Sequence, residues 1–166
     1  MSSLVEFENC SHKTKNNLIK VADSAREVIL KNVAGNCITY VKFDGCVLKQ
    51  ETAADFLVLI DGDVEAILEL KGRNIEHALD QIEATAIWLR SHDYQTTGKT
   101  GAISCKQVPS GTSRKLTKIE ERLRRRFGLR IEKSSSKRSE PPRICRRPQL
   151  VRSRVYDKQN DEQILS

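Results

Sequence analysis

The sequence predicts an α/β domain with a mixed central sheet. Short apolar runs rich in β-branched residues alternate with longer segments of helical periodicity. Three strand-like runs precede the helix predicted over 75–90, and a fourth follows it, so that a meander leads into a crossover. The full order reads α, β, β, β, α, β, α, β. Neither a GxGxxG sequence nor a P-loop lysine motif is present, which argues against a doubly wound nucleotide-binding fold.

The first helix is predicted over 17–31, where Leu18, Ile19, Val21, Ala22, Ala25, Val28 and Ile29 recur at helical spacing and Gly35 marks the stop. Residues 36–43, NCITYVKF, read as the first strand, with a turn at Asp44-Gly45. Residues 46–53 are a loop or a short strand. Phe56–Ile60 is a continuous apolar strand, and 66–70 is its return. Asp61-Gly62 joins them, because glycine accepts the positive φ of a tight hairpin. Asn74 is a plausible N-cap for the next helix, with Glu76 in its first turn. Its inward residues are Ile75, Ala78, Leu79, Ile82, Ala86 and Leu89. A polar loop over 91–99 leads to a strand over 100–108, ended by Pro109-Ser110-Gly111. Thr112 or Ser113 caps a helix over 113–127 that turns Leu116, Ile119, Leu123 and Phe127 inward and stops at Gly128. Residues 129–133 form a last strand. From Ser134 onward the composition is charged and rich in proline and serine, so 134–166 is expected to be a disordered or loosely attached basic tail.

A chain of 166 residues is long enough for one domain with a real core. No apolar stretch approaches the ~20 residues of a membrane span. The start, MSSLVEFENC, lacks the basic and apolar regions of a secretory signal. Five scattered cysteines without a CxxC pair argue against a zinc cluster and for reduced thiols in a cytoplasmic protein. His12, His77 and His92 share no metal spacing. Charge is divided unevenly: residues 1–111 hold 12 basic and 15 acidic side chains, net −3, and residues 112–166 hold 17 and 7, net +10. The basic part suggests a polyanionic partner. Arg114, Lys115, Lys118, Arg122, Arg124, Arg125 and Arg126 lie on the helix over 113–127, and Lys106 on the preceding strand extends the same surface. Guanidinium forks match phosphate geometry and bind it without reading bases.

Around the central hairpin, Asp55 opens one strand, and Glu69 and Lys71 close the next, two residues apart and so on one face. Carboxylates are hard ligands suited to Mg²⁺ or Mn²⁺. Asp55 and Glu69 could share an ion with the Leu70 carbonyl. Lys71 could orient a water and stabilise charge developing on a phosphoryl group.

Asp55, a strand hairpin, Glu69-Leu70-Lys71 and then a helix resemble the PD-(D/E)xK nuclease superfamily over residues 18–108. The leading proline is replaced by Ala54. Gln81 sits where branches similar to archaeal Holliday-junction resolvases and RecB-like nucleases carry a glutamine. The resemblance implies a restriction-endonuclease-like α-β-β-β-α-β core within residues 1–133. It implies a Mg²⁺- or Mn²⁺-dependent nuclease acting on DNA, with Asp55, Glu69, Lys71 and Gln81 in the site. Glu27, on the first helix, is the candidate for a further acidic ligand. It also suggests a homodimer, or membership of a larger restriction, repair or defence complex. Two other readings are a non-catalytic nucleic-acid-binding protein that keeps the fold, and an interaction protein whose basic tail binds an acidic partner.

Overall fold

In the computed structural model, which describes residues 4–23, 26–32, 35–71, 74–105, 113–135 and 152–154, a 3-10 turn over Leu4–Cys10 leads into β1, Ser11–Thr14. There follow β2 (Leu18–Asp23), β3 (Arg26–Lys31), β4 (Ile38–Lys42), β5 (Phe56–Ile60) and β6 (Asp63–Lys71). The rest are α1 (Ile75–Ser91), β7 (Thr100–Cys105), α2 (Arg114–Phe127), β8 (Arg130–Ser135) and β9 (Arg152–Arg154). The fold is α/β.

Six strands form the central sheet in the order β1-β4-β5-β6-β7-β8. Pairing is antiparallel from β1 to β6 and parallel from β6 to β8. The parallel steps need crossovers, and α1 and α2 supply them. Both helices pack on one face. Their Leu79, Ile82, Leu123 and Phe127 join Leu57, Leu59, Ile67 and Ile103 of the sheet. The middle strands are covered on both sides, so β5 and β7 are buried along their whole length.

The opposite face is covered by β2 and β3, which with β9 form a three-stranded sheet. The helix expected over 17–31 is thus a β-hairpin, and the α-β-β-β-α-β order loses its first helix. The physical reason is the burial period. Ile19 and Val21 are buried while Leu18, Lys20 and Ala22 are exposed, an alternation of two. Val28 and Leu30 do the same on β3 and meet Phe56, Val58 and Leu68 of the central sheet. Isoleucine and valine lose χ1 freedom in a helix and fit a pleated surface well. The apolar spacing was compatible with both periods, and the available apolar sheet face decided between them.

The expected tail also contributes structure. Strand β8 runs to Ser135, beyond the expected limit at 133. Residues 152–154, expected to be loose, pair antiparallel with β3, Ile29 opposite Arg154 and Lys31 opposite Arg152. The remainder of 134–166 lies outside the described residues.

The reduced-thiol expectation is corrected for one pair. Cys10 and Cys46 form a disulfide, with Cα atoms 5.8 Å apart, joining the 3-10 turn to the loop after β4. The turn carries Phe7 into an aromatic cluster with Phe43, Trp88 and Tyr94. This packing delivers Cys10 to the loop, which spacing alone did not reveal. Cys37 and Cys105 are outside this disulfide, and the Cys105 thiol donates to the Ser134 carbonyl at 3.2 Å. Trp88 stacks on His92 and lines a half-open cleft with both disulfide cysteines, Asn9 and Lys49.

Gly128 ends α2 in the left-handed region at φ 68°, and its N–H donates to the Arg124 carbonyl. A Cβ there would lie 2.8 Å from the Thr97 backbone Cα. Gly128→Ala is therefore expected to lower stability by about 2 kcal/mol or more, combining the left-handed cost with a backbone clash. Urea unfolding checks this.

Candidate active site

The site is built at the end of the sheet from which β6 leaves toward α1. Asp55 precedes β5, and Glu69 lies near the end of β6 on the side of Ile67, facing the helices. Two hydrogen bonds tie them together. The Asp55 N–H donates to Glu69 Oε2 at 3.1 Å, and the Leu70 N–H donates to Asp55 Oδ2 at 2.7 Å. Each carboxylate thus grips the backbone beside the other. Glu69 is 1% exposed, so a charge there depends on such compensating bonds.

Gln81 stands behind this clasp on α1 and is buried. Its Nε2 donates to the Ala53 carbonyl at 2.8 Å. One turn on, the Thr85 hydroxyl accepts from the Ala54 N–H at 2.8 Å and donates to the Gln81 carbonyl at 2.9 Å. These two side chains hold residues 53 and 54 and so fix where Asp55 begins. Helical spacing explains the pairing, because positions four apart share a face. Thr85 was missed in the sequence. Its signal was a polar residue on the apolar stripe of α1, one turn after Gln81.

The Leu70 carbonyl, expected as a metal ligand, accepts from Arg26 Nη1 at 2.7 Å. One of its two lone pairs serves a guanidinium in this structure, and Asp55 and Glu69 are the expected ligands whose side chains are described. Among the described residues, no group of three or more His, Cys, Asp or Glu side chains is placed to hold an ion. Two carboxylates still suit Mg²⁺, which keeps several waters and binds through one or two carboxylates plus substrate phosphate.

Lys71 is the last residue of β6 and pairs with Cys105 of β7; its side chain lies outside the described residues. Glu27, expected on a helix, is on β3 opposite Ala22. Its side chain also lies outside the described residues, as does all of Lys106.

Two cations unnoticed in the sequence stand at this sheet end. Arg26 begins β3, across the hairpin from Asp23. Lys42 ends β4, and its ammonium is 2.9 Å from Asp23 Oδ1. That hydrogen bond raises the Lys42 pKa above its usual value. Burial opposes the rise, and Asp55 and Asp44 add smaller attractions. Lys42 therefore stays protonated through neutral pH. Reading 17–31 as a helix hid both placements.

The basic helix is partly neutralised. Arg122 pairs with Glu83 of α1, with Nε donating to Oε1 at 3.0 Å, and Arg126 lies 3.7 Å from the same carboxylate. Lys115 pairs with Glu76, and Arg125 lies 3.9 Å from Glu121. The hydrogen bonds to Glu83 and Glu76 raise the pKa of Arg122 and Lys115 respectively. Arg114, Lys118 and Arg124 are exposed and make no ion pair with the described residues. The expected phosphate-tracking face is thus narrower than seven cations.

Among the described residues, no helix is long and apolar enough to cross a membrane. No protein-family profile matches the chain, and no curated protein or solved structure matches it either.

Proposed function

We propose that this protein is a metal-dependent nuclease that hydrolyses DNA phosphodiester bonds, with β4, β5, β6, α1 and β7 corresponding to the β-β-β-α-β part of a restriction-endonuclease-like core and the Asp55–Glu69 clasp at its centre. The observation that carries the reading is the pair of bonds by which the Glu69 carboxylate accepts from the Asp55 N–H and the Asp55 carboxylate accepts from the Leu70 N–H. It orients two hard anionic groups at one sheet end, immediately before a lysine. Asp55 and Glu69 would hold Mg²⁺ or Mn²⁺. Bound there, the ion supplies Lewis-acid stabilisation of phosphoryl oxygens and a more acidic water. Lys71 would position water and offset charge on the substrate. The role proposed for it is electrostatic rather than that of a base. Gln81 and Thr85 keep the Asp55 segment in register with β6. Arg114, Lys118 and Arg124 would hold backbone phosphates away from the scissile bond.

Supercoiled, linear and branched DNA incubated with Mg²⁺ or Mn²⁺ tests the reading. The wild type is expected to cut at least one of them, and Asp55→Ala and Lys71→Ala to leave it intact. No cutting by the wild type, or equal cutting by both variants, sinks the proposal.

A further inference from the structure

The β2–β3 hairpin brings charge to the same sheet end as the clasp. Lys42 pairs with Phe56 across β4 and β5, and the next N–H along, that of Phe43, donates to the Asp55 carbonyl at 2.9 Å. Lys42 is therefore one strand position from Asp55. Arg26 approaches from the hairpin to the Leu70 carbonyl. Within a strand, a residue's N–H and C=O project toward the same neighbour. The Leu70 N–H holds Asp55, so the Arg26 guanidinium stands on the Asp55 side of β6. One N–H of Arg26 is used on that carbonyl, and a guanidinium carries five.

Asp23 accepts from Lys42 and is the strand partner of Arg26 across the hairpin. The Lys42 and Asp23 side chains are 49% and 37% exposed. A solvent-exposed ion pair of this kind adds little to stability, so exchanging its anion costs the fold little.

We propose that Lys42 and Arg26 form a two-cation cradle for a backbone phosphate of the nucleic acid, with Asp23 occupying the phosphate's place on Lys42 when no substrate is bound. This rests on the DNA-binding reading above and adds the residues that seat the strand beside the clasp. On binding, Lys42 exchanges the Asp23 carboxylate for a phosphate oxygen, and the fork of Arg26 reaches the same or the adjoining phosphate while keeping its bond to Leu70. Asp23 thereby acts as an internal competitor of the substrate.

The test is a double-mutant cycle read by fluorescence anisotropy. A labelled DNA duplex is titrated with the full chain, without divalent metal, over a range of salt. Lys42→Ala is expected to weaken binding about threefold to tenfold and to reduce the slope of log affinity against log salt by about 0.9. Asp23→Asn is expected to tighten binding by about the same factor when Lys42 is present, and to change it little in the Lys42→Ala background. Arg26→Lys, which keeps the charge and loses the fork, is expected to fall between wild type and Arg26→Ala. Asp93→Asn, at the far end of α1, controls for net charge. Additive effects of Asp23 and Lys42, or equal tightening by Asp93→Asn, overturn the cradle while leaving DNA binding in place. Absence of any binding by the wild type overturns both the cradle and the nucleic-acid reading beneath it. Circular dichroism of each variant separates loss of fold from loss of contact.

Discussion

Glu69→Gln is expected to reduce metal-dependent DNA cleavage by about 10³-fold or more while leaving a folded protein. The substitution is nearly isosteric. Its amide oxygen can still accept from the Asp55 N–H, the bond that Glu69 Oε2 makes at 3.1 Å. What it removes is the negative charge and half of the oxygen donor capacity. Glu69 is buried at 1% exposure, so a purely structural role predicts a different outcome. A neutral amide in a buried position can be tolerated or even stabilising, and function would then be untouched. Comparing thermal unfolding with the cutting of supercoiled plasmid in Mg²⁺ separates the two roles. Unchanged cutting would remove Glu69 from the chemistry. Asp55→Asn should behave similarly, whereas Asp55→Ala should also loosen the end of β6, because the Leu70 N–H loses its acceptor.

Cys46→Ser is expected to cost about 3–4 kcal/mol of folding stability by the chain-entropy account of a loop this long. The bridged residues are 36 apart, and the enclosed segment contains β1, the hairpin and β4. Freeing that segment releases unfolded-state entropy that the bond removes. It also loosens the turn that seats Phe7, which is 1% exposed, against Phe43 and Trp88. Urea unfolding with and without reductant checks this. Reductant should bring the wild type to the level of the variant and leave the variant unchanged. A variant within about 0.5 kcal/mol of the wild type would show that the bond adds nothing to the fold.

The legible parts of the sequence were those governed by local rules. Gly62 and Gly128 take positive φ where turn and cap chemistry require it. The Asn74 side chain accepts from the His77 N–H, as an N-cap should. Phe56–Ile60 is buried throughout, as an unbroken apolar run in a doubly covered strand must be. The pairing of Asp55 with Glu69 was also accessible, because a hairpin fixes which ends meet. Residues 17–31 differ from the expected helix because the apolar spacing of Ile19, Val21 and Val28 suits both periods, and a distant sheet face chose between them. Strand β1, SHKT, carries no apolar residue and forms only because the edge of β4 offers partners. The ion pairs that quench half of α2 come from Glu76 and Glu83 on another helix, and no spacing rule reports a contact across 39 residues.

Trp88 is the chain's single tryptophan, and its position makes it an optical reporter of the disulfide cleft. It shares a cleft with Cys10 and Cys46. A nearby disulfide accepts an electron from excited indole and dims its emission, so the state of that bond is written into the protein's fluorescence. Tryptophan emission followed with and without reductant therefore reports the surroundings of that bond. Phe43 links that cleft to the Asp55 segment, because its ring centroid lies 5.0 Å from that of Trp88 and its N–H donates to the Asp55 carbonyl.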